Sequence, residues 1–289
     1  MAINIDQNYV NQFSDMVHDL VEQKGSKLMG IFPKEVGTRG EYHFFDTLGS
    51  VEVTERTTRF EEPTLQDGDH GRRAAFMKDY RAGPLGISDL DKMRMLIDPQ
   101  SGYARKIANA LGRQFDIDAL GALVGSALTG KSGGGSQALS AGQIDTTAAG
   151  LTTARLITAK AKFVENNVQD EVIYCAIDQE GLQDILADSE AQSGDYNTVK
   201  ALVSGEIDTW LGFKFIKFGA GIVPEKTAGS VSRAIMFTQD ALKVAVSKQI
   251  ELRVDERPDL DHTLQVVGYA SFGMVRMEEE LVYVVEVTY

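Results

Sequence analysis

Cysteine is almost missing from this chain. Cys175 is the only one in 289 residues, so no intrachain disulfide can form and no cysteine-rich zinc site can be built. Histidine is scarce as well. His18, His43, His70 and His262 include no i,i+3 or i,i+4 pair, so a metal centre would have to rest on carboxylates. Long apolar runs are absent, and none approaches the roughly 18–20 residues that a bilayer span needs. The opening MAINIDQNYV has no basic n-region and no apolar h-region, so no signal peptide is expected and synthesis is placed in a reducing cytoplasm. Basic residues are in deficit. Lys and Arg number 29 against 42 Asp and Glu, a net charge of −13, which argues against high-affinity nucleic-acid binding, because phosphate affinity comes mainly from Lys and Arg.

What is present is globular. Hydrophobic residues make up 43% and charged residues 25%, outside the range of disordered chains. The length suggests one or two domains, large enough to bury about 75% of the unfolded surface without staples. Glycine, at 28 residues, is above the usual ~7% and predicts bends and close backbone approaches.

Along the chain, Tyr9, Val10, Phe13, Met16, Val17, Leu20 and Val21 follow helical spacing, and Gly25 ends the run. This first helix, 7–24, packs either on the chain's own core or on a neighbouring subunit; the pattern leaves both open. Residues 34–85 differ in character. Glu41–Phe45 and Val51–Phe60 read as extended, Arg72–Arg81 reads as a return strand, and EEPTLQDGDHG between them is rich in turn residues. Arg56, Arg59, Arg72, Arg73, Lys78 and Arg81 face Glu52, Glu55, Glu61, Glu62, Asp67, Asp69 and Asp79. A long hairpin with so few large apolar residues is marginal alone. It is either a solvated flap or a docking arm.

Asp98 is a good N-cap and Pro99 suits the first helical position. Tyr103, Ile107, Leu111, Phe115, Leu120, Val124 and Leu128 then recur at helical spacing up to Gly130. That predicts about 30 residues, or ~45 Å of helix, weakened by Gly112, Gly121 and Gly125 and so dependent on tertiary support. GKSGGGS at 130–136 reads as a flexible linker. Beyond it a helix is predicted over 151–166, a buried strand over Glu171–Ile177, and a short helix capped by Asp178. An aromatic strand follows at Leu211–Phe218. Arg233–Phe237 and Leu242–Val246 flank another short element, and the end is β: Ile250–Val254, Leu264–Met277 and Leu281–Val287. In the last run Leu281, Tyr283, Val285 and Val287 share one face. No repeat of 20–50 residues occurs.

Chemistry-bearing motifs are few. Residues Gly125 to Ser132 match G-x-x-x-x-G-K-[ST], but a P-loop needs a strand before it and a helix starting at the Lys-Ser. Here a helix precedes and three glycines follow. Cys175 lies in an apolar strand, where free cysteine is ordinarily inert. Asp67, Asp69 and His70 lack the spacing of an EF-hand. Trp210, Phe213, Phe215 and Phe218 read as core. No nucleophile, base and oxyanion donor come together, so no catalytic, cofactor or metal residue is assigned.

The order of parts is more specific: an amphipathic arm, a charged hairpin, a ~30-residue helix, a glycine-rich linker, an α/β section and returning strands. The local wording NYVNQFSDMVHDLVEQKGSKL, LTTARLITAKAKFVENNV and DYNTVKALVSGEIDTWLGFKFIKF points the same way. Over nearly its whole length the chain resembles the major capsid proteins of tailed double-stranded DNA bacteriophages, an α+β class known as the Hong Kong 97-type fold. The resemblance implies an N-arm at 1–33, an extended loop at 34–85, a peripheral domain at 86–144 with a spine helix at 98–129, an axial domain at 145–250, and returning strands at 251–289. It implies a structural protein, not an enzyme, that forms hexamers and pentamers of an icosahedral virion shell around DNA, without sequence-specific DNA binding, cofactor or membrane.

Subunit contacts are expected at Tyr9, Phe13, Arg56, Arg59, Glu61, Glu62, Arg72 and Arg73. Some relatives carry a cleaved N-terminal scaffolding segment. Here the arm-like helix begins within ten residues, so a separate scaffolding protein, or none, is expected, with a portal and decoration proteins as further partners. Competing readings are an encapsulin-like compartment of the same fold, a tail-tube subunit and, through the 125–132 match, a P-loop NTPase.

Overall fold

Strands and helices follow in the order β1 (Lys34–Val36), β2 (Tyr42–Leu48), β3 (His70–Phe76), β4 (Lys78–Ile87), α1 (Gln100–Val124), β5 (Ala127–Thr129), β6 (Gly135–Gln137), β7 (Ile144–Asp145), α2 (Thr153–Glu165), β8 (Ile173–Ile177), α3 (Gln179–Ala187), β9 (Thr209–Trp210), β10 (Phe213–Lys217), β11 (Val231–Phe237), β12 (Leu242–Arg257), β13 (Thr263–Arg276) and β14 (Val282–Thr288). The computed structural model describes residues 22–49, 70–88, 100–168, 171–187, 209–219, 221–226 and 231–288, with isolated positions 51, 53, 55, 59 and 68. The predicted N-terminal helix and the Asp98–Pro99 cap fall outside them, apart from the helix's last residues.

The strands form three sheets: β1-β12-β13-β4, β7-β14-β11-β8-β10-β9, and a small β2-β3-β5-β6 sheet. α1 packs chiefly on β13. Its buried residues Ile107, Leu111, Phe115, Ala119, Leu120 and Leu123 recur at the 3–4 spacing of one helical face. Phe115 meets Phe272 of β13 edge-on with ring centres 5.2 Å apart, and Tyr80 of β4 stacks on the same ring at 4.8 Å. The spine helix is therefore supported from outside, as its three glycines require.

The helix is shorter than its apolar pattern predicts. It ends at Val124, and Ala127–Thr129 pairs as a strand with both β3 and β6. The expected extent to residue 129 is thus corrected. Leu128 fits the helical spacing, but sheet pairing takes it. GKSGGGS is likewise no linker. It turns the β5–β6 hairpin, with Gly130 at φ +89° and Gly133 at φ +72°, backbone angles that glycine adopts without a Cβ penalty.

The return strand also divides. Residues 70–76 pair with β2, whereas 78–87 pair with β13 in the central sheet. Met77 marks the switch, and its amide donates to the Glu41 carbonyl at 2.9 Å. Only the part up to Phe76 belongs to the β2–β3 hairpin, which β5 and β6 extend into the small sheet. The 145–250 segment shows a similar offset, because β12 runs unbroken from Leu242 to Arg257 in the central sheet and crosses the expected boundary at 250.

In the six-stranded sheet, β14 is buried on both faces from Val282 to Val287, so its apolar run is near-continuous, as in a covered central strand. Asp178 caps α3 as expected, its Oδ1 accepting the Gly181 amide at 2.9 Å.

Candidate subunit-docking surface

The segment around residues 22–28 is latched to α1 by a polar stripe. Asn109, Gly112, Arg113 and Asp116 are spaced i, i+3, i+4, i+7 and share one helix face. Asp116 is fully buried. Its carboxylate accepts from Gln23 Nε2 at 2.6 Å, from Ser26 Oγ, and from the amides of Lys27 and Leu28 at 3.0 and 3.1 Å. Asn109 Oδ1 accepts the Gly25 amide at 3.0 Å, and Arg113 Nη1 pairs with Glu22 Oε2 at 2.9 Å. Hydrogen bonds from Asn109 and Arg113 hold the Glu22 carboxyl below its usual range. Gly112 admits this crossing, since a Cβ there would lie 2.8 Å from backbone atoms of Gly25 and Ser26.

The hairpin is rooted by two adjacent arginines. In the β2–β3 register Asp46 faces Arg72 and Phe45 faces Arg73. Arg72 grips Asp46 in a bidentate pair, Nε to Oδ1 at 2.6 Å and Nη2 to Oδ2 at 3.2 Å, and this donation lowers the Asp46 pKa. Arg73 bonds inward, to the Met277 carbonyl at 3.1 Å and Gln137 Oε1 at 2.7 Å. A small separate core that includes Phe45, Ala75, Met77, Ala127 and Val275 packs the root. Further out, Leu48, Val51 and Val53 are 77%, 75% and 98% exposed. These are large apolar side chains that the subunit leaves uncovered.

An apolar groove of about 490 Å³ runs beside the C-terminal half of α1. Ile117 and Gly121 form one wall, Phe76 and Met274 the other, with Lys78 and Asp118 paired at 3.3 Å on its border. Gly121 has open space where a Cβ would project. Arg276 closes the helix end. It is 1% exposed and donates to the carbonyls of Leu123, Gly125 and Gln137. Burial lowers its pKa, yet the helix carbonyls are where a cation is favoured.

A second buried arginine stitches the six-stranded sheet. Arg155 of α2 pairs with Asp145 at 2.7 Å and donates to the Ala149 and Glu286 carbonyls, each at 2.7 Å.

Of the expected contact residues, the structure brings Arg72 and Arg73 together at the hairpin root. Arg59 lies in a turn and has an interaction partner of its own. Tyr9, Phe13, Arg56, Glu61 and Glu62 lie outside the described residues. Sequence reasoning missed Asp116, Arg155 and Arg276. Asp116 had a signal, a short acid placed mid-helix on the Asn109/Arg113 stripe. Arg276 had none, since its partners are carbonyls distant in sequence, and Arg155 joins the nearby Asp145 to the distant Glu286 carbonyl.

The P-loop match adopts the wrong geometry. Lys131 sits in a β-turn between two strands, so no helix N-terminus points at a bound phosphate. Cys175 is fully buried, and burial pushes its thiol pKa far up. Among the described residues no three His, Cys, Asp or Glu gather as metal ligands, and no helix is long and apolar enough to cross a membrane.

Comparison with known proteins matches this architecture. The solved capsid of cyanophage P-SCSP1u superposes with a TM-score of 0.75 at 14% identity, covering 100% of this chain and 95% of that one. The capsid of Ralstonia phage GP4 gives 0.73 at 11%, covering 100% and 97%. The capsid of Helicobacter pylori bacteriophage KHP30 gives 0.71 at 9%, covering 100% and 99%. At such identities these likenesses establish the fold. No curated protein matches the chain. The family profile described as phage capsid protein matches residues 5–289, and the chain belongs to that family as a major capsid protein of the phage head.

Proposed function

We propose that copies of this chain join head to tail into rings of six and five, which close into an icosahedral shell around double-stranded DNA. Within 34–85, the hairpin between β2 and β3 is the arm that links ring neighbours, and it lies in the groove beside α1 of the next subunit. One observation carries this reading: Leu48, Val51 and Val53 stand exposed on the arm, while an apolar groove lies open beside α1. Heterologous contacts of this kind repeat around a ring, so modest contacts add through multivalency.

In this scheme residues 1–33 form the N-arm, with Tyr9 and Phe13 on a neighbour. Residues 86–144 and 145–250 are the peripheral and axial domains, and 251–289 return to both. Arg56, Arg59, Glu61, Glu62 and Arg72 meet neighbouring charges, whereas Arg73 anchors the arm to its own body through Met277 and Gln137. A separate scaffolding protein, a portal and decoration proteins are the further partners. The chain itself carries no reaction.

Negative-stain electron microscopy with light scattering tests this. Full-length protein is expected to give closed particles of megadalton mass. Deletion of residues 50–69 spares β3 and β4 and should leave a folded subunit that forms no shell. Normal shells from that deletion would refute the arm.

A further inference from the structure

Two lysines that form no ion pair among the described residues, Lys27 and Lys214, meet at one place in this acidic chain. A cavity of about 600 Å³ opens between the strap that follows the Asp116 latch and strand β10. Lys27 and Ile31 line it from the strap, Lys214, Phe215 and Lys217 from β10, and Tyr174 from β8. No Asp or Glu lines it among the described residues. In a chain with 42 acids against 29 bases, such a wall is unexpected from composition.

The two exposed ammonium groups are placed rather than loose. Lys27 Nζ donates to the Lys217 carbonyl and lies 5.3 Å from the Phe218 ring centre. Lys214 Nζ lies 5.9 Å from the ring centre of Tyr174. Neither makes an ion pair with a described residue. Positive groups over a concave, aromatic-walled surface focus the local potential and attract anions.

The donor set distinguishes between anions. A planar carboxylate is best met by the arginine fork, and no arginine lines this cavity. Lysine is a compact point charge with three donors, suited to an oxyanion that accepts from several directions. We propose that this cavity binds phosphate groups, drawn either from a DNA backbone or from free phosphate. The DNA source rests on the shell reading above; the phosphate chemistry does not. Lysine contacts of this kind carry no sequence preference and weaken with salt. Packaged DNA would supply phosphate at high local concentration, so weak sites would suffice.

Trp210, the only tryptophan, gives a reporter, because its ring lies 6.4 Å from that of Phe215 on the cavity wall. The full-length unassembled subunit is titrated with inorganic phosphate at constant ionic strength, following Trp210 fluorescence and the melting temperature. A saturable response in either is expected. Lys214→Gln should raise the Kd at least tenfold, and Lys131→Gln, in the P-loop-like hairpin, should leave it unchanged. The proposal fails if neither signal responds, if Lys214→Gln has no effect on the response, or if Lys131→Gln abolishes it. It also fails if Lys214→Gln blocks shell formation with phosphate affinity intact, which would make the cavity a subunit contact. Competition by a duplex oligonucleotide at equal phosphate concentration then assigns the source to DNA, and lack of competition assigns it to free phosphate; the site stands in both cases. Shell formation by the wild type is scored separately by microscopy, so failure of the shell reading is distinguishable from failure of this one.

Discussion

The carboxylate of Asp116, mid-way along α1, accepts the backbone amide of Leu28 at 3.1 Å, and both residues are fully buried. One side chain thus satisfies two consecutive amides of a segment 88 residues away in sequence. A buried carboxylate is costly unless its lone pairs are used, and here four donors use them.

Asp116→Asn keeps the shape but turns an amide NH2 toward groups that are themselves donors. The expected loss is about 2–3 kcal/mol of subunit stability, read by urea denaturation of the unassembled protein. A change within error would mean that the strap holds without the latch.

Arg276→Met should fray the end of α1. Its removal leaves the carbonyls of Leu123, Gly125 and Gln137 unpaired, at a cost of about 3 kcal/mol. Hydrogen exchange should quicken over residues 121–128 before it quickens in β14. Uniform acceleration across the chain would refute a local role.

Acid should weaken the Arg155 network. Burial alone would raise the Asp145 carboxyl, but hydrogen bonds from Arg155 and Thr147, with the guanidinium charge, lower it overall. A pKa depressed by folding stabilises the native state above the unfolded value of about 3.9 and is lost as pH falls through the folded value. Stability of the wild type should therefore drop below about pH 4. Asp145→Asn should be less stable at neutral pH and lose less on acidification. Parallel pH profiles for the two proteins would rule this out.

Leu48→Asp with Val53→Asp places charge on the uncovered arm. Exposed substitutions ordinarily change stability by no more than about 0.5 kcal/mol, so the unassembled subunit should melt normally. Shell yield should collapse. Normal shell yield would show that the arm's apolar residues bury nothing.

Cys175 offers a probe of unfolding. Its thiol is sealed in β8 and its pKa is pushed up, so a thiol reagent should react only as the subunit unfolds, with the same urea midpoint as circular dichroism. Fast labelling of the native protein would contradict the burial.

Much of the architecture was legible because helices and strands write local periods. The 3–4 spacing of Ile107, Leu111 and Phe115 and the short apolar run before Asp178 each depend only on near neighbours in sequence. The order of those elements carried the resemblance to phage capsids. The candidate site was half legible. The density of charge in 34–85 left a solvated flap and a docking arm both open, and the groove beside α1 is assembled from β3, β4, β13 and the helix, which no local pattern announces.

Local spacing is indifferent to which distant strand waits alongside, and here it reached its limit. Residues 127–129 continue the helical pattern yet pair with β3 and β6. Residues 72–81 read as one strand yet divide between two sheets at Met77. The backbone amides and carbonyls there must be satisfied by whichever partner the packed chain brings near, and buried arginines and Asp116 select among those partners. The helices and the apolar strands are local consequences of composition and period. The end of α1, the strand exchange at Met77 and the latch at Leu28 exist only once the folded chain has closed its separate segments against each other.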